Sequence, residues 1–145
     1  MKTRIKWIDG VSFAGESGSG HAVVIDGDPD SGGRNIGMRP MEMLLTGAAA
    51  CTAYDVVTIL RKGRHDVRDV AVTVEATRAP TSPRVFTALH YVYHVAGRGL
   101  DPKVVERAVT LSKEKYCSAT IMLGKTATVT YEIVMVDGDR VPPAS

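Results

Sequence analysis

The chain lacks any Cys-x-x-Cys pair, any glycine-rich phosphate loop and any long run of one charge, and each absence excludes something. Two cysteines in 145 residues cannot build the disulfide framework of a small secreted domain. Without a Rossmann or P-loop glycine pattern there is no sequence support for a nucleotide cradle. A net charge of +2, with aromatics at 6% and no basic run interleaved with aromatics, argues against nucleic acid. Arg61, Lys62 and Arg64 do cluster, but at an expected helix end, where cations complement the carbonyl end of the dipole. The four histidines are scattered, and His90 and His94 lie roughly 13 Å apart along one strand, too far to share an ion. No cofactor or metal site is read, and no Ser-His-Asp arrangement.

What is present fits one domain, residues 1–145, able to bury about two thirds of its unfolded surface. Met1 to Trp7 alternates charged and apolar residues and lacks the apolar core of a signal peptide, so the expected compartment is the reducing cytoplasm, where a permanent disulfide is not expected. The longest apolar stretch, Met41 to Leu60, is long enough to span a bilayer, but Glu42 and Asp55 inside it would cost roughly 3 kcal/mol each at the bilayer centre. It reads as a helix beginning at Pro40 and stopped by Gly63, apolar around nearly its whole circumference and therefore enclosed on all sides. One chain of this size covers such a helix poorly, which points to a homodimer.

Before that helix, Thr3, Ile5 and Trp7 alternate with charged residues, as in a strand with one buried face. The Asp9-Gly10 turn leads to a strand at Val11–Glu16, and Gly18-Ser19-Gly20 to another at Ala22–Ile25, giving a three-stranded meander. Residues 26–37 are a loop rich in Gly, Asp, Pro and Ser. Strands at 70–77 and 85–95 follow. Asp101 caps a second helix with Pro102 at its first position, a short segment carries Cys117 to Gly124, and Ala127 to Ile133 alternates as a last strand. Val136 to Ser145 reads as a frayed tail. Strands and helices do not alternate one by one, so the class is α+β rather than doubly wound.

Chemistry centres on the cysteines. Cys51 lies mid-helix in Gly47-Ala-Ala-Ala-Cys51, where small residues let a ligand or another backbone approach its sulfur. Cys117, in Glu114-Lys-Tyr-Cys-Ser118, follows the second helix. A buried free cysteine commonly packs as a small hydrophobe, so an inert pair is one reading and a peroxidatic and resolving couple the other. Mid-helix placement gives Cys51 no helix-terminus dipole, so a reactive Cys51 requires a nearby cation. Arg39 and Arg34, entering the helix from the loop, are the candidates, expected within about 6 Å of the sulfur. Asp55, one turn after Cys51, shares its helix face.

The stretch from Arg39-Pro-Met-Glu-Met to Leu60, with Pro83-Arg-Val-Phe-Thr87, Leu111-Ser-Lys-Glu-Lys-Tyr-Cys-Ser118 and the opening Phe13-Ala-Gly-Glu-Ser-Gly-Ser-Gly-His21, resembles the OsmC/Ohr family and, within it, the YhfA-like branch. The resemblance implies an intertwined α+β homodimer and a cytoplasmic thiol peroxidase of the oxidative-stress response. In that reading Cys51 attacks a small organic hydroperoxide, Cys117 resolves the sulfenic acid, and a dithiol of lipoyl or thioredoxin type restores the pair. The family's activating glutamate, ten residues before the cysteine, falls on Met41, with Glu42 one step and about 100° away. The family's arginine from the N-terminal strands has no counterpart between Val11 and Ile25. Arg39 with Glu42 is therefore the pair expected to serve Cys51. The alternative function is a non-peroxidase relative that binds or senses a small apolar or electrophilic molecule in a thiol-lined dimer cavity. A third is a structural dimer with inert cysteines.

Overall fold

A computed structural model describes residues 1–143, in two compact units, Met1–Leu44 and the chain from Leu45 onward. In the first, the Asp9-Gly10 turn, with Gly10 at φ +51°, joins strands β1 (Thr3–Asp9) and β2 (Ser12–Ser17). A second turn brings in β3 (Ala22–Ile25), and all three pair antiparallel in the order β1-β2-β3. The expected buried face of β1 is not found: every residue of the strand is exposed, Ile5 at 54% and Trp7 at 60%. Alternation reports a surface suited to burial, and among the described residues of one chain nothing covers this one.

The loop after β3 is organised by Asp26, whose polar neighbours are all short-range donors. The Asp26 side chain is 1% exposed. Its Oδ1 accepts from the Ser12 hydroxyl and the Gly27 N–H, both at 2.8 Å. Its Oδ2 accepts from the N–H groups of Arg34 at 2.8 Å and Ile36 at 3.2 Å. Burial works against the carboxylate, but the donors from Ile36, Ser12, Arg34 and Gly27 outweigh it and hold the pKa at about 2, below the ordinary 3.8.

Helix α1 (Pro40–Lys62) starts at proline, as expected. It ends at Lys62, just before Gly63 as expected, but the glycine does not take the left-handed position. Arg64, at φ +60°, takes the left-handed position, while Arg64 N–H donates to Arg61 O at 2.9 Å and His65 N–H to Leu60 O at 3.0 Å. This is a Schellman motif one residue later than Gly63 would have it. Gly63 is explained by space instead, since a Cβ there would lie 2.7 Å from the His65 ring. The expected enclosure of α1 on all sides, which rested on a second copy, is met by this chain along one face. Only Ala48, Thr52, Val56 and Leu60, one stripe at i, i+4 spacing, are buried, and Tyr54 is 72% exposed.

A second sheet has the order β4-β5-β6, from Val67–Arg78, Phe86–Gly97 and Thr128–Asp137. The central strand β5 pairs antiparallel with β4 and parallel with β6. A parallel neighbour requires a crossover, and α2 (Pro102–Leu111) supplies it. Asp101 caps α2 through the Lys103 N–H at 2.9 Å, and Pro102 opens it. Its Val105, Ala108 and Val109 are buried along with Leu89, Tyr91, Tyr93 and Val95 of β5. A π turn (Ser112–Tyr116) and a short helix α3 (Ser118–Leu123) lead to β6.

The expected frayed tail is corrected as well. Val136 and Asp137 belong to β6, Arg98 grips the Asp139 carboxylate with two hydrogen bonds of 3.1 and 2.8 Å, and the Val141 N–H donates to Asp69 at 3.0 Å. Ala144 and Ser145, the end of the expected tail, lie outside the described residues.

The stripe on α1 carries one polar residue. Thr52 lies 2.8 Å from the Tyr93 hydroxyl and 2.9 Å from that of Ser112, and Ser112 donates to Asp55 Oδ2 at 2.9 Å. Since the Ser112 proton is committed to Asp55, Thr52 donates to Ser112 and accepts from Tyr93. The hydrogen bonds thus run one way, Tyr93 to Thr52 to Ser112 to Asp55. Burial pushes the Tyr93 phenol up to about 12, so at neutral pH it remains a donor.

Two predictions test these anchors. Thr52→Val keeps the volume but leaves a buried tyrosine hydroxyl without its acceptor. It should cost about 1–3 kcal/mol in urea unfolding, and Thr52→Ser should restore most of it. Asp26→Asn sets amide protons against backbone donors and should lower Tm at pH 7. Because the folded Asp26 pKa lies below the unfolded 3.8, its stabilisation is complete above that value and disappears as pH falls through about 2. The Tm gap between parent and variant should therefore close between pH 4 and pH 2.

Candidate functional site

Helical spacing brings the first two groups together: Cys51 and Asp55 are four residues apart on α1, one turn along the same face. The third comes from farther along the chain. Cys117 leaves the π turn in an extended conformation and N-caps α3, its Sγ accepting from the Thr120 N–H at 3.4 Å. The π turn is closed by the Cys117 N–H donating to Ser112 O at 2.8 Å, an i to i−5 bond. The two sulfurs and a carboxylate oxygen of Asp55 all lie within 4.8 Å of one another.

Both cysteines are free thiols; Cys51 and Asp55 are half-buried and Cys117 is fully buried. The Cys117 thiol donates to Thr120 Oγ1 at 3.1 Å, and that hydroxyl donates onward to Tyr91 at 3.3 Å. Burial pushes the Cys117 thiol above its ordinary pKa; its hydrogen bonds with Thr120 pull it down in part, and Cys51 beside it pushes it up again. Burial likewise raises the Tyr91 phenol, against the Thr120 hydrogen bond. Cys117 is thus held as a neutral thiol, fixed in direction and close to Cys51.

The remaining residues singled out from the sequence meet in the N-terminal unit. Arg39 bonds to Glu42 Oε1 through its guanidinium and to Oε2 through its backbone N–H, both at 2.9 Å, and pairs with Asp28 at 3.2 Å. The Arg39 backbone and then its guanidinium hold Glu42 below the usual carboxylate range. Arg39 Nε is buried and has no hydrogen-bond partner among the described residues. Arg34 is engaged with Asp26 through its N–H, with Ser12 at 3.4 Å and with Asp9 at 3.6 Å. His90 and His94 are half-buried on β5, and His90 Nδ1 lies 2.8 Å from Thr130 Oγ1.

Sequence reasoning missed Thr52, Ser112, Thr120, Tyr91 and Tyr93, the hydroxyls around the thiols. One signal was available: Thr52 is a polar residue between Ala48 and Val56 in a stripe otherwise apolar.

A family model described as "OsmC-like protein" matches residues 31–132. Protein YhfA of Escherichia coli K12 is 46% identical over 136 residues, spanning 92% of this chain and 98% of YhfA. A solved structure described only as structural genomics is 42% identical, with a TM-score of 0.86 over 95% of this chain and 100% of its own. The fold extends to a structure from Legionella pneumophila described as an organic hydroperoxide resistance protein OsmC and predicted redox protein, at 20% identity, TM-score 0.67, and 92% and 96% coverage. The long helix with its mid-helix cysteine, the second cysteine brought to it by the crossover, and a family match over most of the chain agree: the protein belongs to the OsmC-like family.

Proposed function

We propose that the protein is a thiol-dependent peroxidase for small organic hydroperoxides, acting in the reducing cytoplasm. The observation that carries this reading is the approach of Cys51 and Cys117, whose sulfurs lie within 4.8 Å. A disulfide needs about 2.05 Å, so a side-chain and local backbone shift of under about 3 Å joins them. Cys51, half-buried where Cys117 is closed off, is the attacking thiol. Its sulfur takes the terminal oxygen of ROOH, giving Cys51 sulfenic acid and ROH. The Cys117 thiol then displaces water to form the disulfide, and a dithiol of lipoyl or thioredoxin type reduces it, becoming a disulfide itself. Arg39, oriented by Glu42, is the guanidinium we assign in this proposal to the cation role that a reactive Cys51 requires.

Residues 1–145 act in this proposal as one OsmC-like domain that pairs with a second copy. The support is apolar surface that a single chain leaves open: Ile5 and Trp7 on β1, and Leu44 and Tyr54 on α1. Met41, where the peroxidases of the family carry glutamate, favours a second reading, a non-peroxidase relative that binds or senses a small apolar or electrophilic molecule in a thiol-lined dimer cavity.

One equivalent of cumene hydroperoxide should remove two hydrogens per reduced chain by mass spectrometry. Cys51→Ser should consume no peroxide, while Cys117→Ser should complete one turnover and stall as a sulfenic acid trapped by dimedone. Arg39→Ala should slow peroxide consumption by about 10²-fold. An unchanged mass after hydroperoxide, together with adduct formation by an electrophile at Cys51, would replace the peroxidase with the binder. Sedimentation should give twice the 15.5 kDa chain mass at micromolar concentration, and a stable monomer would remove the dimer.

A further inference from the structure

We propose that Cys51, Cys117 and Asp55 form a three-ligand site for a thiophilic divalent cation, zinc before any other. It uses the residues of the proposed redox couple but needs no peroxide chemistry, so it stands or falls separately. The two sulfurs and the Asp55 oxygen lie within 4.8 Å of one another. Zinc binds thiolate at about 2.3 Å and carboxylate at about 2.0–2.2 Å, which puts two sulfurs of a tetrahedral site about 3.8 Å apart. The three groups thus close on an ion by movements of about 1 Å. Two sulfurs and one oxygen exclude magnesium and calcium, which take oxygen ligands, and suit a borderline-soft ion with a fourth position open to water.

The surroundings resemble those of a built metal site. Asp55 Oδ2 accepts from Ser112, and Ser112 is bonded in turn to Thr52 and through it to Tyr93, so the carboxylate is held in direction beside the two sulfurs. Such outer support orients ligating carboxylates and raises affinity. Cys117 is oriented by Thr120 through both backbone and hydroxyl. Cys51 and Asp55 come from adjacent turns of one helix and Cys117 from a separate cap, so the ion would clamp α1 to the start of α3.

Binding converts M²⁺ and two thiols into a bis-thiolate complex and releases two protons, with no change of oxidation state. Affinity therefore rises with pH. The disulfide and the ion need the same sulfurs, so metal occupancy and oxidation exclude each other.

Fully reduced, metal-free protein titrated with Co²⁺ tests the site. The expected result is a near-ultraviolet thiolate-to-cobalt charge-transfer band and visible bands of tetrahedral cobalt, saturating at one ion per chain and abolished by Zn²⁺. Cys51→Ser and Cys117→Ser should each lose at least half the charge-transfer intensity. Asp55→Asn, which still accepts from Ser112, should keep the band but weaken binding at least tenfold, with circular dichroism checking that each variant is folded. The proposal is overturned by the absence of a band, by a band that either cysteine variant retains in full, or by an Asp55→Asn affinity equal to the parent's. Peroxide consumption measured on the metal-free protein reports separately on the redox reading.

Discussion

The rotation of α1 about its own axis is set by a chain of hydroxyls. A helix whose apolar residues cover most of its circumference has several near-equivalent ways to lie on a sheet, because hydrophobic burial is non-directional. Thr52 removes that freedom. Its hydroxyl must meet both Tyr93 on β5 and Ser112 at the end of α2, at 2.8 and 2.9 Å, and leaving those buried partners unsatisfied is costly. Once Thr52 is fixed, its neighbour Cys51 and the next turn's Asp55 have no choice of direction. Ser112 serves twice: its hydroxyl holds Asp55, and its carbonyl holds the backbone of Cys117. The thiol pair is therefore a product of the same contacts that seat the helix.

Much of this was legible in the residues because its causes are local. Pro40, Asp101 and Pro102 announce their helices by removing or supplying the terminal hydrogen bonds, and Asp9-Gly10 announces its hairpin. The two cysteines stood out as the only thiols. What escaped depends on contacts distant in sequence. Thr52, Tyr93 and Ser112 are ordinary residues in three different elements, and nothing in their spacing says that their oxygens converge. The chain end from Val136 resembles a loose tail in composition, yet Arg98 and Asp69, far back in the chain, hold it. β1 fails in the opposite sense: its alternation was read correctly, but the surface it predicts to be buried is not covered by its own chain.

The chemical character of the pair follows from unequal environments. Cys117 is enclosed, hydrogen-bonded and kept protonated by burial, as suits a thiol that waits for a partner. Cys51 is half-buried, on the face of a helix lined with small residues. A carboxylate and two thiols so close together form a centre where proton count, oxidation state and bound cation are alternatives to one another.

The π turn at Ser112–Tyr116 carries one residue more than an α-helical turn would. Removing any one of its members would let α2 continue as an ordinary helix and would rotate everything after it by about 100°. Cys117 would then face away from α1, although every side chain of the pair had been kept. At this point of the molecule the quantity under constraint is chain length as much as composition: Ser112 aside, whose hydroxyl holds Asp55, substitutions within 113–116 are open to tolerance, while insertions and deletions are not.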